Sequence, residues 1–297
     1  MEKVKIGIIG AGRIGKIHAK TISGYIDNAQ VLKISDPFAT DLEEFAVSVG
    51  IPGYCKDYDE ILNDHNIDAV IICSPTDTHS DISIECAKRG KHIFCEKPVD
   101  LDVGKIKDTI AEVKKAKVKM QVGFNRRFDH NFSRLNELVE TGRLGEIHTI
   151  RITSRDPKPP HAGYISKSGG IFMDMTIHDF DMALFLSKSK VTEVYAHADV
   201  LIDPQIGKEG DFDTAIVMLK FENKCTAIIE NSRQAVYGYD QRIEVFGSKG
   251  SAIAENDTPT NVKIYSEEGV CTDKPLYFFL ERYMDSFISE MREFVNA

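Results

Sequence analysis

The chain has 297 residues, 42% hydrophobic and 28% charged, with a formal net charge of −9 and an isoelectric point near 5.5. That length suits two domains or one large one with sizeable cores, and the composition is that of an ordinary globular protein. The acidic balance, with no long run of Lys or Arg, argues against nucleic acid or an anionic membrane as partner and favours a small polar molecule.

The opening, MEKVKIGIIGAG, reaches its glycines too soon for a signal peptide, and nowhere do about 18 apolar residues run together. A cytoplasmic protein is expected. The six cysteines, Cys55, Cys73, Cys86, Cys95, Cys225 and Cys271, form no C-x-x-C pair and lie mostly in apolar segments. They read as reduced, buried thiols, and no metal site is expected.

Residues 1–125 alternate short apolar runs with amphipathic stretches. The runs are VKIGIIG, VLKISD, DAVIICS, KHIFCEKP and KVKMQVGF; the helical stretches between them begin near Arg13, Ala39, Asp77 and Asp102. This rhythm predicts a parallel sheet wrapped by helices, and the lack of alternation within the runs suits strands buried on both faces. After a helix from about His130 to Glu140 the pattern changes. EIHTIRITSR, EVYAHADVLI, TAIVMLKF, CTAIIENSRQ and RIEVFGSKGSAIAE are longer, partly alternating runs joined by turn signals such as FENK and GSKG. The expected fold is α/β: an N-terminal parallel-sheet domain over 1–125, then an α+β domain over 126–297 with a mostly antiparallel sheet. The chain stops in MDSFISEMREFVNA, a helical pattern without a C-cap, so a truncated end is expected.

Gly10-Ala11-Gly12-Arg13-Ile14-Gly15 matches G-x-G-x-x-G. It follows a predicted strand and opens a predicted helix, the context in which the spacing gives a tight turn, close approach of backbone to a pyrophosphate, and N–H groups facing the anion. The second run ends in Asp36, about 20 residues on, where a carboxylate can accept hydrogen bonds from an adenosine ribose. Pro37 and Phe38 follow instead of an Arg suited to a 2′-phosphate, so NAD is favoured over NADP, although Lys33 or Arg13 could reach one. Ligands sit beyond the carboxyl ends of strands in such sheets. Ser74, Thr76 and His79 after the third run, and Glu96 and Lys97 after the fourth, are therefore expected to face the cofactor.

One later segment, GGIFMDMTIHDFDMALFL, is rich in Ile, Phe, Met and Leu yet carries Asp174, His178, Asp179 and Asp181. Read as one helix, it puts Asp174, His178 and Asp181 on a single stripe. Buried ionisable groups are costly unless paired or beside a wet cavity, so the stripe is either a structural network or a proton-handling site. Asp179 lies off the stripe, and both it and Asp181 read as structural. The long loop RDPKPPHAGYISKSGG before the helix is where a lid or substrate contacts could sit.

With the glycine motif, CEKPVD after the fourth strand and DMTIHDFDM in the second domain, the sequence resembles the Gfo/Idh/MocA family of oxidoreductases along nearly its whole length. The resemblance implies a Rossmann domain plus an open-faced sheet, a homotetramer formed through that sheet, and several tens of residues beyond the last helix. GFNRRFDHNF and the Asp-x-x-x-His helix narrow the implied activity to NAD-dependent oxidation of a cyclic polyol, myo-inositol to its 2-keto product. Carried over, the resemblance implies that Lys97, Asp174 and His178 are catalytic and that Asn125, Arg126, Asp156 and Tyr237, or Tyr239 in its place, bind substrate hydroxyls. Three other readings stay open: oxidation of another inositol isomer or an aldose, a non-catalytic NAD- and sugar-binding regulator, and, more distantly, a metal-dependent hydrolase.

Overall fold

The run VKIGII forms a strand, Val4–Ile9 (β1), in the computed structural model, which describes residues 3–297. It lies mid-sheet in the first of two units, made of the chain up to Asn125 together with Asp285–Ala297. After β1 come Arg13–Tyr25 (α1), Ala29–Ser35 (β2), Leu42–Ser48 (α2), Gly53–Cys55 (β3), Asp59–Leu62 (α3), Ala69–Ile72 (β4), Thr76–Lys88 (α4), His92–Cys95 (β5), Val103–Ala116 (α5) and Met120–Val122 (β6). The strands pair in the order β3-β2-β1-β4-β5-β6, all parallel. Strand order reverses between β1 and β4, and the crevice beyond their carboxyl ends is where such sheets bind ligands. Every residue of β4 is buried, which explains why its sequence shows no alternation. Sequence reading missed β3 and α3, which are too short to carry a period.

The second unit, Arg126–Met284, begins with a short 3₁₀ turn, Asn125–Phe128, and His130–Glu140 (α6). Asp129 caps α6 by accepting hydrogen bonds from the Asn131 and Phe132 amides. There follow Ile147–Arg155 (β7), Ala162–Ser168 (α7), a π-helical turn at Phe172–Thr176, Ile177–Ser187 (α8), Val191–Asp199 (β8), Pro204–Lys208 (α9), Thr214–Phe221 (β9), Thr226–Ser232 (β10), Asp240–Gly247 (β11) and Gly250–Ala254 (β12). The sheet order is β12-β11-β7-β10-β9-β8. β7 and β10 run parallel and the other neighbours antiparallel.

α8 packs on β7 and α6 on β12. Ala215, Val217, Leu219 and Phe221 of β9 are buried, while Ile216 and Met218 between them are exposed. Across the sheet, the register sets Tyr195, Met218, Ile228, Arg151, Glu244 and Ile253 in one row of the exposed face. A separate exposed hairpin, Lys263–Ser266 (β13) and Gly269–Thr272 (β14), and a short helix, Phe279–Arg282 (α10), complete the unit.

The final helix, Met284–Asn296 (α11), belongs with the first unit, whereas sequence reading put 126–297 in one domain. Its amphipathic pattern supplies the reason. Met291 and Phe294 enter the core shared by α1, α2 and one face of the parallel sheet, and Phe294 meets Phe94 of β5 edge-on at 5.6 Å. No helix among the described residues is long and apolar enough to cross a membrane.

Candidate active site

In the first unit the glycine motif forms the turn from β1 into α1. Gly10 has φ +99°, and a Cβ there would come within 2.5 Å of the Cys73 carbonyl, so only glycine fits. A Cβ on Gly15 would meet the Gly10 oxygen at 2.0 Å, which lets α1 sit against the turn. Gly12, the N-cap residue, has nothing within 4 Å of its would-be Cβ. Bare backbone facing open space at a helix N-terminus, with no acidic residue in the first turn, is a fitting cradle for a pyrophosphate. Arg13 is exposed and Ile14 half-buried beside it.

Asp36 follows the end of β2. Its Oδ2 accepts the Ala11 amide at 2.8 Å, and its Oδ1 accepts the Phe38 and Ala39 amides at 2.8 and 3.0 Å. The carboxylate is thus tied to the glycine turn and keeps lone pairs for ribose hydroxyls. Lys33 lies 3.6 Å from Glu60, committed to another carboxylate.

The remaining strand ends divide. Ser74 and Thr76 are half-buried, with Ser74 Oγ 2.7 Å from Thr78 Oγ1. His79 is 2% exposed; its ring nitrogens lie 2.8 Å from the carbonyls of Pro98 and Ser74. It staples two loops together and does not face outward, contrary to its expected contact with cofactor. Glu96 likewise turns inward: Oε1 lies 2.8 Å from Nε2 of fully buried His18, and Oε2 accepts the Lys97 amide at 3.2 Å. Gly123 makes room for it, since a Cβ there would meet Glu96 Oε2 at 2.9 Å. Glu96 therefore fixes the backbone from which half-buried Lys97 projects, just before a cis bond to Pro98. Asn125 is buried at the end of this unit.

In the second unit the expected helix is continuous but not uniform, with a π turn running directly into α8. The π turn at Phe172–Thr176 adds residues per turn before α8 begins, so a stripe drawn at 3.6 residues per turn does not run unbroken from Asp174 to Asp181. Asp174 sits in the π turn and His178 one turn later, both half-buried. Tyr164 of α7 donates to Asp174 Oδ1 at 2.8 Å, and Arg233 Nη1 donates to Oδ2 at 2.9 Å. Arg233 also lies 3.7 Å from Asp156 and 3.9 Å from Asp211. Asp211 in turn accepts the Ile171 amide at 2.8 Å and sits where a Cβ on Gly170 would be, tying the start of the π turn to the same cluster. Burial pushes the Asp156 carboxyl up to about 6, Arg233 pulling against it and Asp174 adding to it.

Asp179 and Asp181 are structural, as read from the sequence. Asp179 is fully buried and accepts from Arg126 and Ser154 at 2.6 Å and from Asn231 at 2.7 Å; Asn231 also accepts from Thr176 at 2.6 Å. Asp181 takes a two-pronged contact from Arg127. Arg126, expected at substrate, is 4% exposed and anchored to Asp179 and Ser154. Tyr237, also expected at substrate, donates to Asp240 and accepts from Arg155, each at 2.6 Å. Tyr239 is buried, with its ring edge-on to Tyr283.

Arg233 and Tyr164 went unnoticed in the sequence. Arg233 carried a signal: it continues the inward parity of Ala227, Ile229 and Asn231, so a cation was bound for the covered side of the sheet.

An oxidoreductase-family model described as an NAD-binding Rossmann fold matches residues 4–124, and a GFO/IDH/MocA C-terminal domain model matches residues 132–253. The chain belongs to the Gfo/Idh/MocA oxidoreductase family. Within this family it is 51% identical to a myo-inositol 2-dehydrogenase of Thermotoga maritima, across 99% of this chain and 87% of that relative. A crystal structure from the same organism superposes with a TM-score of 0.96 at 51% identity, covering 98% and 87% of the two chains. A scyllo-inositol dehydrogenase of Lactobacillus casei, solved with NAD(H) and scyllo-inositol, gives 0.91 at 32% identity over 99% and 88%. The glycine turn and Asp36 lie within the stretch, residues 4–124, that matches this NAD-binding Rossmann model.

Proposed function

We propose that this Gfo/Idh/MocA oxidoreductase is an NAD-dependent inositol 2-dehydrogenase that oxidises myo-inositol to its 2-keto product, scyllo-inosose. The observation that carries the reading is the 51% identity with a myo-inositol 2-dehydrogenase along 99% of the chain.

Bound NAD supplies the hydride acceptor. The chain supplies position, a base and charge stabilisation. His178 takes the hydroxyl proton, as an imidazole can near neutral pH. Asp174, one turn earlier, orients the ring and stabilises the imidazolium that forms. Lys97 donates to the reacting oxygen and favours its alkoxide character. Asn125, Asp156, Arg126 and Tyr237 belong to the polyol subsite in this reading. Asp156 offers a carboxyl able to accept or, below about pH 6, to donate. Arg126 and Tyr237 act chiefly by holding its walls, given their own anchors.

The exposed face of the second sheet, with its row of Tyr195, Met218, Ile228 and Ile253, supports self-association into the expected homotetramer. Buried Cys55, Cys73, Cys86, Cys95 and Cys225, all free thiols, fit a reducing, cytoplasmic setting.

The test is NADH formation by purified protein with NAD and myo-inositol, beside scyllo-inositol and glucose. Turnover highest with myo-inositol supports the reading. A higher kcat/KM on scyllo-inositol moves the assignment to that isomer, which the Lactobacillus casei relative favours. NAD binding without turnover of any polyol would favour the regulator.

A further inference from the structure

Around Asp174 the second unit gathers more charge than a general base needs. Tyr164 of α7 holds one carboxylate oxygen and Arg233, just past β10, the other, at 2.8 and 2.9 Å. Arg233 is 2% exposed, and its Nε and Nη2 lack hydrogen-bond partners although Asp156 and Asp211 lie 3.7 and 3.9 Å away. One guanidinium therefore stands among Asp174 from the π turn, Asp156 past β7 and Asp211 before β9. His178 follows on α8, and the buried Arg126–Asp179 pair acts on Asp156 from the side. A purely structural arginine in such a place would be expected to pair fully with one carboxylate, because a buried cation with unmade bonds is costly.

We propose that Arg233 is a positioning residue for the oxidation: with Tyr164 it clamps Asp174 as an oriented carboxylate and so sets the pH range over which His178 serves as base. The inference rests on the role given to His178 above. Its logic is electrostatic. Removing the guanidinium leaves Asp156, Asp174 and Asp211 without their shared cation. Added local negative charge favours the imidazolium over the imidazole, and Asp174 itself becomes easier to protonate. Both changes move the loss of the working base in one direction, to higher pH.

The test compares Arg233→Met, Arg233→Lys and Tyr164→Phe with wild type by kcat and kcat/KM across pH, NAD affinity serving as the control for folding. For Arg233→Met, kcat falls roughly 10- to 100-fold, short of a full general-base contribution, and the acid limb rises by about one unit. Arg233→Lys restores charge without the forked reach; it returns the limb towards wild type while kcat recovers only in part. Tyr164→Phe removes one bond to Asp174 and raises the limb less. A limb unmoved in both Arg233→Met and Tyr164→Phe, or a limb shifted equally by Met and Lys, overturns the proposal and leaves Arg233 a structural anchor. If Arg233→Met loses NAD binding, the Lys and Phe variants carry the decision. Absence of wild-type turnover on every polyol would instead count against the assigned reaction. The clamp is then read directly from His178 titration by NMR in wild type and Arg233→Met: an upward shift supports it and no shift overturns it.

Discussion

Arg126 Nη1 donates to Asp179 Oδ1 at 2.6 Å in a place where both side chains are almost wholly shut off from solvent, at 5% and 0% exposure. The carboxylate's other oxygen is taken by Asn231, so the pair ties the turn after β6, α8 and β10 into one block. Asp179→Ala strands a buried guanidinium and should cost about 3–5 kcal/mol of stability. Urea unfolding followed by circular dichroism measures it. A loss within 1 kcal/mol, on the order of a surface substitution, would mean that the pair does not hold these elements together.

His178→Ala should lower NADH formation roughly 10²- to 10⁴-fold and leave NAD affinity unchanged. Titration calorimetry separates the two effects. Equal losses in binding and turnover would move His178 from the role of base to one of scaffold.

Asp36 bears on the choice of dinucleotide. A carboxylate beside the ribose accepts from its hydroxyls and repels a 2′-phosphate. Asp36→Ser should reduce the ratio of kcat/KM for NAD over NADP by about tenfold or more, equivalent to about 1.4 kcal/mol. A ratio that stays at the wild-type value would assign the discrimination elsewhere, with Arg13 the first residue to examine.

Asp156 ties stability to pH. Its folded carboxyl is raised from 3.8 to about 6, so between those values the folded state holds a proton that the unfolded chain has released. Stability from this group is complete below about 4 and falls as pH rises through about 6. The loss reaches about 3 kcal/mol at neutral pH, from 1.36 kcal/mol per unit. Asp156→Asn should flatten that part of the pH–Tm curve, and scanning calorimetry from pH 4 to about 7.5 would show whether the slope survives.

Much of this was legible because the signals are local. Gly10 and Gly15 are fixed by contacts within one turn and with the end of the neighbouring strand, and Asp36 follows at a distance set by one βα crossover. The alternation in TAIVMLKF shows directly in the buried and exposed faces of β9. What escaped depended on partners far along the chain. Nothing near Glu96 announces His18, 78 residues earlier, and the sequence of α4 does not reveal that His79 reaches the Pro98 carbonyl. For Asp174 and His178 the expected stripe differs from the observed geometry, because a π turn changes the period on which it was drawn. Arg233 could have been found by counting inward positions along β10 beyond the strand's apolar residues.

The return of α11 to the first unit has a consequence for how the protein is made. A ribosome finishes the cofactor half's own strands at about Val122, yet the core around Phe94 stays open until Met291 and Phe294 emerge, after the second unit has been translated. Domains otherwise fold in order as they leave the ribosome. Here the earlier half must wait, with apolar surface uncovered, while the whole second unit is translated and folds between its two pieces. The interval in which a chaperone is most needed is therefore set by the length of that insertion.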